Sequence, residues 1–199
     1  AQRAAHLLRR ATLGPRLPDI SAFSGMTAQA AVAALTQVQA DPPFPVDLMS
    51  GTDWVSPNTV NTNQSVETLS EYTRSWWMEN MRASGANLTE RMIWFYHTHF
   101  PMIMSRIEGN PQFAIDYTRL LRFYALGNYK ELAKAICIDN AMLVHLDGNL
   151  NIKGVPQENF AREFLELFTV GKGEEVSLGN YTNFTEQDVQ ALTKALTGW

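Results

Sequence analysis

Helix start and stop signals recur along almost the whole chain, and they constrain the fold more than any other feature. Asn87 with Glu90, and Thr185 with Asp188, have the three-residue spacing of capping boxes, and apolar residues follow each pair at helical intervals. Gly171 follows another periodic segment, at a position where glycine commonly ends a helix. No segment shows strand-like alternation over more than a few residues, and no repeat has a fixed period. The sequence therefore predicts an all-α fold, an irregular multi-helix bundle.

The domain organisation follows from the chain length and from one interruption of the helical pattern. The 199 residues fit a single all-α domain over residues 1–199, or the N-terminal part of a longer domain. Residues 40–64 are rich in Pro, Asn, Thr and Ser, and we predict an extended loop there. A connection of this length is typical of a segment that binds something or moves. Trp54 within it has two interpretations, docking on a partner or packing back onto the helices.

Composition and charge exclude several classes of function. The net charge of −4 and the pI near 5.6 give no reason to expect nucleic acid as a partner. A single cysteine, Cys137, excludes an internal disulfide and a zinc site built from several cysteines. No apolar run approaches the roughly 18 residues of a spanning helix, so no transmembrane segment is predicted.

The sequence ends just after its last predicted helix. The final residues read ALTGW, and Trp199 is a large aromatic side chain that needs a packing partner. We therefore expect the chain to be one part of a longer polypeptide.

The loop that begins at Asp147 carries oxygen-bearing side chains at alternate positions, as a calcium-binding loop does. In an EF-hand numbering from Asp147, Lys153 offers its carbonyl at position 7 and Glu158 a carboxylate at position 12, whereas Ile152 stands where position 6 requires glycine. The candidate ligands are Asp147, Asn149, Asn151, Lys153 and Glu158. The alternative is a turn with Asx hydrogen bonds and with Glu158 favourably placed at a helix N-terminus. Both interpretations stay open, and the predicted cofactor is calcium or another divalent cation.

The helix predicted from Pro156 to Gly171 carries aromatic and polar side chains on different faces. Successive residues advance by about 100°, so Phe160, Phe164 and Phe168 share one face. The polar residues within a second arc are Asn159, Arg162, Glu163 and Glu166. This polar face is either solvated, or it forms a network against another helix. In such a network a buried Glu would have the raised pKa that suits a general acid or base.

Two histidines in the segment WFYHTHF are the second source of candidate chemistry. On a helix, His97 and His99 point about 200° apart and cannot bind one metal ion together. Pro101 disfavours helix at the residue before it, and in an extended chain the two rings share a face and form a plausible chelate. The alternative is a buried histidine hydrogen-bonded to a carboxylate, for which Glu163 and Glu166 are the candidate partners.

Three segments together give the chain a family resemblance. They are AAHLLRRATLGP near the start, WFYHTHF in the middle, and PQENFAREFLELFTVG followed by EQDVQALTKALTGW. The chain resembles the bacterial "domain of unknown function 1800" family over nearly its whole length. Leu13, His145 and Gln157 stand where that family usually has Phe, Tyr and Asn, and the last two lie beside the candidate site.

The resemblance implies a setting for the chain and no particular reaction. It implies that a C-terminal half is missing or belongs to another chain, because members of the family usually extend well beyond the ALTGW element. It also implies export, and therefore a periplasmic or extracellular location.

Three hypotheses for function follow. The first is a structural, assembly or binding subunit that packs on the missing C-terminal half or on a partner chain. The second is a hydrolase-type enzyme that uses His97 or His99 with Glu163 or Glu166, with or without a metal ion. The third is structure that depends on calcium binding at the loop after Asp147.

Overall fold

A computed structural model describes residues 1–55, 64–107 and 109–199. The protein is 57 % helix and 5 % strand, so the predicted all-α class is confirmed in its coarse form and corrected by one small hairpin. The chain divides into two compact units. The first comprises Ala1–Tyr96 and Leu121–Gly127, and the second His97–Leu120 and Asn128–Trp199.

The first unit contains most of the N-terminal helices. They are α1 (Gln2–Ala11), α2 (Leu17–Ser24), α3 (Ala28–Leu35), α4 (Val66–Ala83) and α5 (Thr89–His99), of which the last continues into the second unit. Buried apolar side chains of α1, α2 and α3 form its core: Ala4, Leu8, Phe23, Ala31 and Leu35. Each of these helices is amphipathic and stable mainly because it buries this face.

Helix α2 has no match among the helices predicted from the sequence. Pro18 falls in its first turn, where a missing backbone N–H costs nothing. Asp19 accepts a hydrogen bond from the backbone N–H of Arg16 at 3.2 Å and so caps the helix start.

The predicted loop 40–64 is described over residues 40–55 and at Gln64, and residues 56–63 lie outside the described part. Residues 40–55 form turns and one antiparallel bridge, between Val46 and Asp53. The indole of Trp76 on α4 donates a hydrogen bond to the carbonyl of Pro43 at 2.7 Å. The side chain of Trp54 is only 4 % exposed. Of its two interpretations, docking on a partner or packing back into the protein, the structure therefore favours the second.

The second unit contains the remaining elements. They are α6 (Pro111–Phe123, with its last residues in the first unit), α7 (Tyr129–Ile136), α8 (Asn140–His145), α9 (Asn159–Glu163), β1 (Glu175–Ser177), β2 (Asn180–Tyr181) and α10 (Glu186–Ala195). Short 3₁₀ turns occur at Met104–Arg106 and Gly148–Leu150. Strands β1 and β2 pair antiparallel with an irregular register. Among the described residues, no helix has both the length and the hydropathy needed to cross a bilayer.

Side-chain caps fix where most of the predicted helices begin. Within the described residues, five helices start at a residue whose side chain accepts a hydrogen bond from a backbone N–H in the first turn: Thr27, Ser65, Asn128, Asp139 and Thr185. Each such cap is worth roughly 1 kcal/mol. Asp188 completes the capping box predicted at Thr185, since it accepts from the Thr185 backbone N–H at 2.8 Å.

Candidate functional site

The helix that carries the candidate carboxylates changes its winding halfway. It is α-helical over Asn159–Glu163 and π-helical over Phe164–Phe168. The hydroxyl of Thr169 donates to the carbonyl of Phe164 at 2.7 Å, and the positive φ of Gly171 (71°) ends the segment as predicted. A π-helical segment widens the turn, and such segments occur frequently at functional sites.

The two glutamates of this helix are half-buried and surrounded by charge. Burial, reinforced by the negative charge of Glu166, raises the pKa of Glu163. Glu166 forms an ion pair with Lys172 at 2.6 Å. Lys172 therefore supplies a positive charge at this site that sequence reasoning missed, because it lies beyond the glycine that ends the helix.

Arg162 joins the polar face of α9 to the start of α10. Its guanidinium donates two hydrogen bonds to Glu186, at 2.5 and 2.9 Å, and one to Glu158 at 3.5 Å. Asn159 donates to the carbonyl of Leu146 at 3.2 Å. A bidentate guanidinium–carboxylate pair has a fixed geometry, so it orients α9 against α10.

His99 lies against the end of the π-helical segment. Its Nε2 is 2.7 Å from the hydroxyl of Tyr129 and 3.1 Å from the carbonyl oxygen of Phe168. The Tyr129 hydroxyl donates to the same carbonyl. The imidazole ring packs edge-on against Phe100, with ring centres 4.7 Å apart. Tyr129 was not among the candidate residues, because it lies 30 residues away from His99 in the chain and no local pattern links the two.

His97 occupies a different environment on the same helix. Its ring meets Tyr117 edge-on at 5.9 Å, and burial lowers its pKa, so the imidazole is neutral at pH 7. Helix α5 continues through His99, so the two rings point about 200° apart. The extended conformation that would let both bind one metal ion is not adopted. In the described part of the chain, no three or more His, Cys, Asp or Glu side chains are grouped to hold a metal ion.

The structure links His99 to the carboxylate helix through backbone and aromatic contacts. The hydrogen bonds of His99 are to Tyr129 and to the Phe168 carbonyl, and the ion pair of Glu166 is with Lys172. The hydrolase arrangement, in which an imidazole pairs directly with Glu163 or Glu166, stays a prediction.

A hydrogen bond from the side chain of Asn151 connects the loop after Asp147 to α10. Asp147 has a left-handed conformation (φ 63°), and a 3₁₀ turn follows. Asn151 is 2 % exposed; its amide donates to the carbonyl of Thr193 at 2.7 Å, and its side-chain oxygen accepts from the backbone N–H of Gln157 at 3.2 Å. Asn151 therefore already uses its oxygen within the protein. Asn149 is partly buried and Lys153 is exposed, and the calcium loop stays a prediction.

A mainly apolar groove of about 510 Å³ opens between this loop and α10, and we call it the α10 groove. Its lining includes Ile152, Pro156, Thr193 and Thr197, with Lys153, Glu158 and Lys194 as its charged residues. Ile152 is 54 % exposed and pairs across a tight turn with Val155, which is equally exposed. Sequence reasoning treated Ile152 only as a misfit in a calcium loop.

These features define a mostly helical protein with a π-helical segment and an exposed apolar groove. The chain belongs to a family described as "Protein of unknown function (DUF1800)", which matches residues 6–199. The family resemblance seen in the sequence is therefore confirmed over essentially the whole chain. No curated protein and no solved structure matches it.

Proposed function

We propose that this protein is a binding subunit of an exported, periplasmic or extracellular assembly, and that a further polypeptide covers the α10 groove. The polypeptide is the C-terminal half of a longer chain or a separate partner. The exposed pair Ile152 and Val155, beside the groove, is the observation that carries the proposal.

The size and chemistry of the groove suit a protein segment. A volume of about 510 Å³ accommodates several apolar side chains. Covering the exposed halves of Ile152 and Val155 would stabilise a complex by about 1 kcal/mol each. Lys153 and Lys194 against the single acid Glu158 favour a segment with acidic residues at its edge.

The packing beneath the groove holds its shape. Asn151 ties the loop to α10, and the backbone N–H of Gly198 donates to the Asn151 carbonyl at 3.0 Å. A groove held in place by such bonds loses little conformational entropy when a partner binds.

Dye binding by the purified 199-residue chain tests this proposal. Anilinonaphthalene sulfonate should bind and fluoresce at the exposed groove, and Ile152→Glu should remove most of that signal because it places a charge on the apolar lining. Leu178→Glu is the control, since Leu178 is 96 % exposed in the hairpin and does not line the groove. A monomeric chain that does not bind the dye, or one whose signal is unchanged by Ile152→Glu, refutes the proposal.

A second candidate function is acid–base catalysis at Glu163, the hydrolase alternative. The observation that favours it is the raised pKa of this half-buried carboxyl beside a π-helical segment. Chromogenic ester, phosphate and glycoside substrates provide the test. Turnover that Glu163→Gln abolishes and that Glu131→Gln, in an exposed ion pair, leaves intact supports this candidate, and no turnover of any substrate rejects it.

A further inference from the structure

A buried ion pair in the first unit adjoins a small polar cavity. Arg122 and Glu90 form a salt bridge, and their side chains are only 7 % and 4 % exposed. Both residues line a cavity of about 130 Å³, which we call the Glu90 cavity. Asn80 of α4 lines it too.

Three polar atoms of these residues are buried without a hydrogen-bond partner in the described part of the chain. They are Nδ2 of Asn80, Oε2 of Glu90 and Nε of Arg122. A buried polar group without a partner is unfavourable, and native proteins retain few of them. All three residues line this cavity, so a modest rotation of their side chains would present two donors and one acceptor to a group bound there.

A hydroxyl matches this set of atoms. Its O–H can donate to Glu90, and its two lone pairs can accept from Arg122 and Asn80. A carboxylate matches less well, because it cannot donate to Glu90. The charge of Arg122 is already paired with Glu90 and so gives an anion little extra attraction.

A larger groove, which we call the Phe123 groove, adjoins the Glu90 cavity. This groove has a volume of about 470 Å³ and shares Gln39, Thr89 and Arg122 with the cavity. Phe123 lines it and is 78 % exposed, although it directly follows the buried Arg122. Asp41 also lines this groove and adds a negative charge, which further disfavours an anionic ligand.

We propose that the first unit binds a neutral saccharide, with one hydroxyl in the Glu90 cavity and the apolar face of the sugar ring on Phe123. A cavity of about 130 Å³ is too small for a whole ring, whereas the adjoining groove can hold one or two rings. This site lies in the first unit and is independent of the α10 groove, which lies in the second.

Ligand-observed NMR with the purified chain tests the site. The probes are the methyl glycosides of glucose, galactose, mannose and N-acetylglucosamine, together with maltotetraose and cellotetraose. At least one should receive saturation transfer from the protein. Asn80→Leu should weaken that binding about tenfold, because it removes a donor. Phe123→Ala should weaken it by a similar factor.

Two variants are used so that the site can still be tested if one of them fails to fold. Asn80→Leu removes an unpartnered buried amide and should not destabilise the fold, and Phe123 is largely exposed. Phe95→Ala is the matched control, since Phe95 is an exposed aromatic residue on α5 that lines neither cavity nor groove. If no probe binds, so that only water enters the cavity, or if Asn80→Leu and Phe123→Ala bind like Phe95→Ala, the proposal is wrong.

Discussion

Glu90 shows how one residue can have a role that its local sequence conceals. Its spacing from Asn87 predicts a helix-capping residue, yet its carboxylate pairs with Arg122, which lies 32 residues further along the chain. Asn87 does accept from the backbone N–H of Thr89 at 2.8 Å, so the helix start itself was predicted correctly. A long-range ion pair has no local pattern, and only the fold reveals it.

Breaking this ion pair should be costly. Glu90→Gln leaves the buried guanidinium of Arg122 without a counter-charge and should lower the free energy of unfolding by about 3 to 5 kcal/mol. The double variant Glu90→Leu with Arg122→Met should recover most of that loss. Urea denaturation provides the measurement, and Glu79→Gln, in the exposed pair with Arg82, should have a much smaller effect because solvent screens that pair. Equal effects of Glu90→Gln and Glu79→Gln would contradict the buried-pair account.

Asp139 should make stability fall as pH rises. Burial raises its pKa to about 6, so the folded state holds a proton that the unfolded state has already lost. Its contribution is neutral below the unfolded pKa of about 3.9, becomes unfavourable as pH rises from there to about 6, and levels off above that at about 3 kcal/mol. Asp139→Asn keeps a side-chain oxygen for the Met142 N–H and should therefore be more stable than the wild type at neutral pH.

Thermal unfolding from about pH 2.5 to pH 8 tests this prediction, because this range covers the titration of both Asp139 and its control. Asp188→Asn is the control with the opposite sign, because the hydrogen bond from Thr185 lowers the pKa of Asp188. Its stabilising effect is present above the unfolded pKa and is lost as pH falls further. A stability difference between Asp139→Asn and wild type that does not change with pH would exclude the proposed titration.

At the scale of the elements, the close approach of α8 to α9 depends on one glycine. A Cβ atom at Gly148 would lie 2.9 Å from Leu143 and 3.0 Å from Phe160. Gly148→Ala should therefore destabilise the protein by about 1 to 3 kcal/mol through overpacking. Gly14→Ala is the control, since that position is open and should be neutral or slightly stabilising. Chemical denaturation compares the two, and a harmless Gly148→Ala would show that the elements are loosely packed.

The π-helical segment should depend on Tyr129. Tyr129→Phe removes the hydroxyl that donates to the Phe168 carbonyl and contacts His99. We expect a loss of about 0.5 to 1.5 kcal/mol in unfolding free energy and a shift of the His99 ring signals in NMR spectra. Tyr124→Phe, whose ring packs on Phe123, should change neither. Unchanged stability and unchanged His99 signals in Tyr129→Phe would reject this role.

Elements with local signals were predictable, and elements set by tertiary contacts were not. Thr27, Asn128 and Thr185 mark helix starts because their side chains bond to their own first turn. The π-helical winding at Phe164–Phe168 has no such signal, since the same sequence satisfies α-helical periodicity. The β1–β2 hairpin was missed because its strands have three and two residues, too few for an alternation to be recognised.

At the scale of the whole molecule, the candidate residues were predictable and their partners were not. The polar face of Asn159, Arg162, Glu163 and Glu166 follows from helical geometry. The ion pair of Arg162 with Glu186 spans 24 residues and depends on how α9 packs on α10. The α10 groove was not predictable for the same reason, because its walls come from segments about 40 residues apart. The Asn151–Thr193 hydrogen bond, for example, joins residues separated by 42 positions.

The low reactivity of the native cysteine makes it possible to test by thiol labelling whether the α10 groove is covered. Burial raises the pKa of the only cysteine, Cys137, to about 11, so its thiol is rarely ionised and reacts slowly with maleimide. A cysteine introduced at the exposed Ile152 will therefore react selectively. Leu178→Cys provides a matched exposed position outside the groove.

The most direct test of the binding role is the rate at which maleimide labels Ile152→Cys. This rate is compared between the purified chain and the native assembly within producing cells. A covering polypeptide should slow labelling at Ile152→Cys at least about tenfold in the assembly, because a covered thiol reacts only during transient opening. Labelling at Leu178→Cys should stay the same in both. Equal labelling rates at Ile152→Cys in the purified and native states would contradict the proposed binding role.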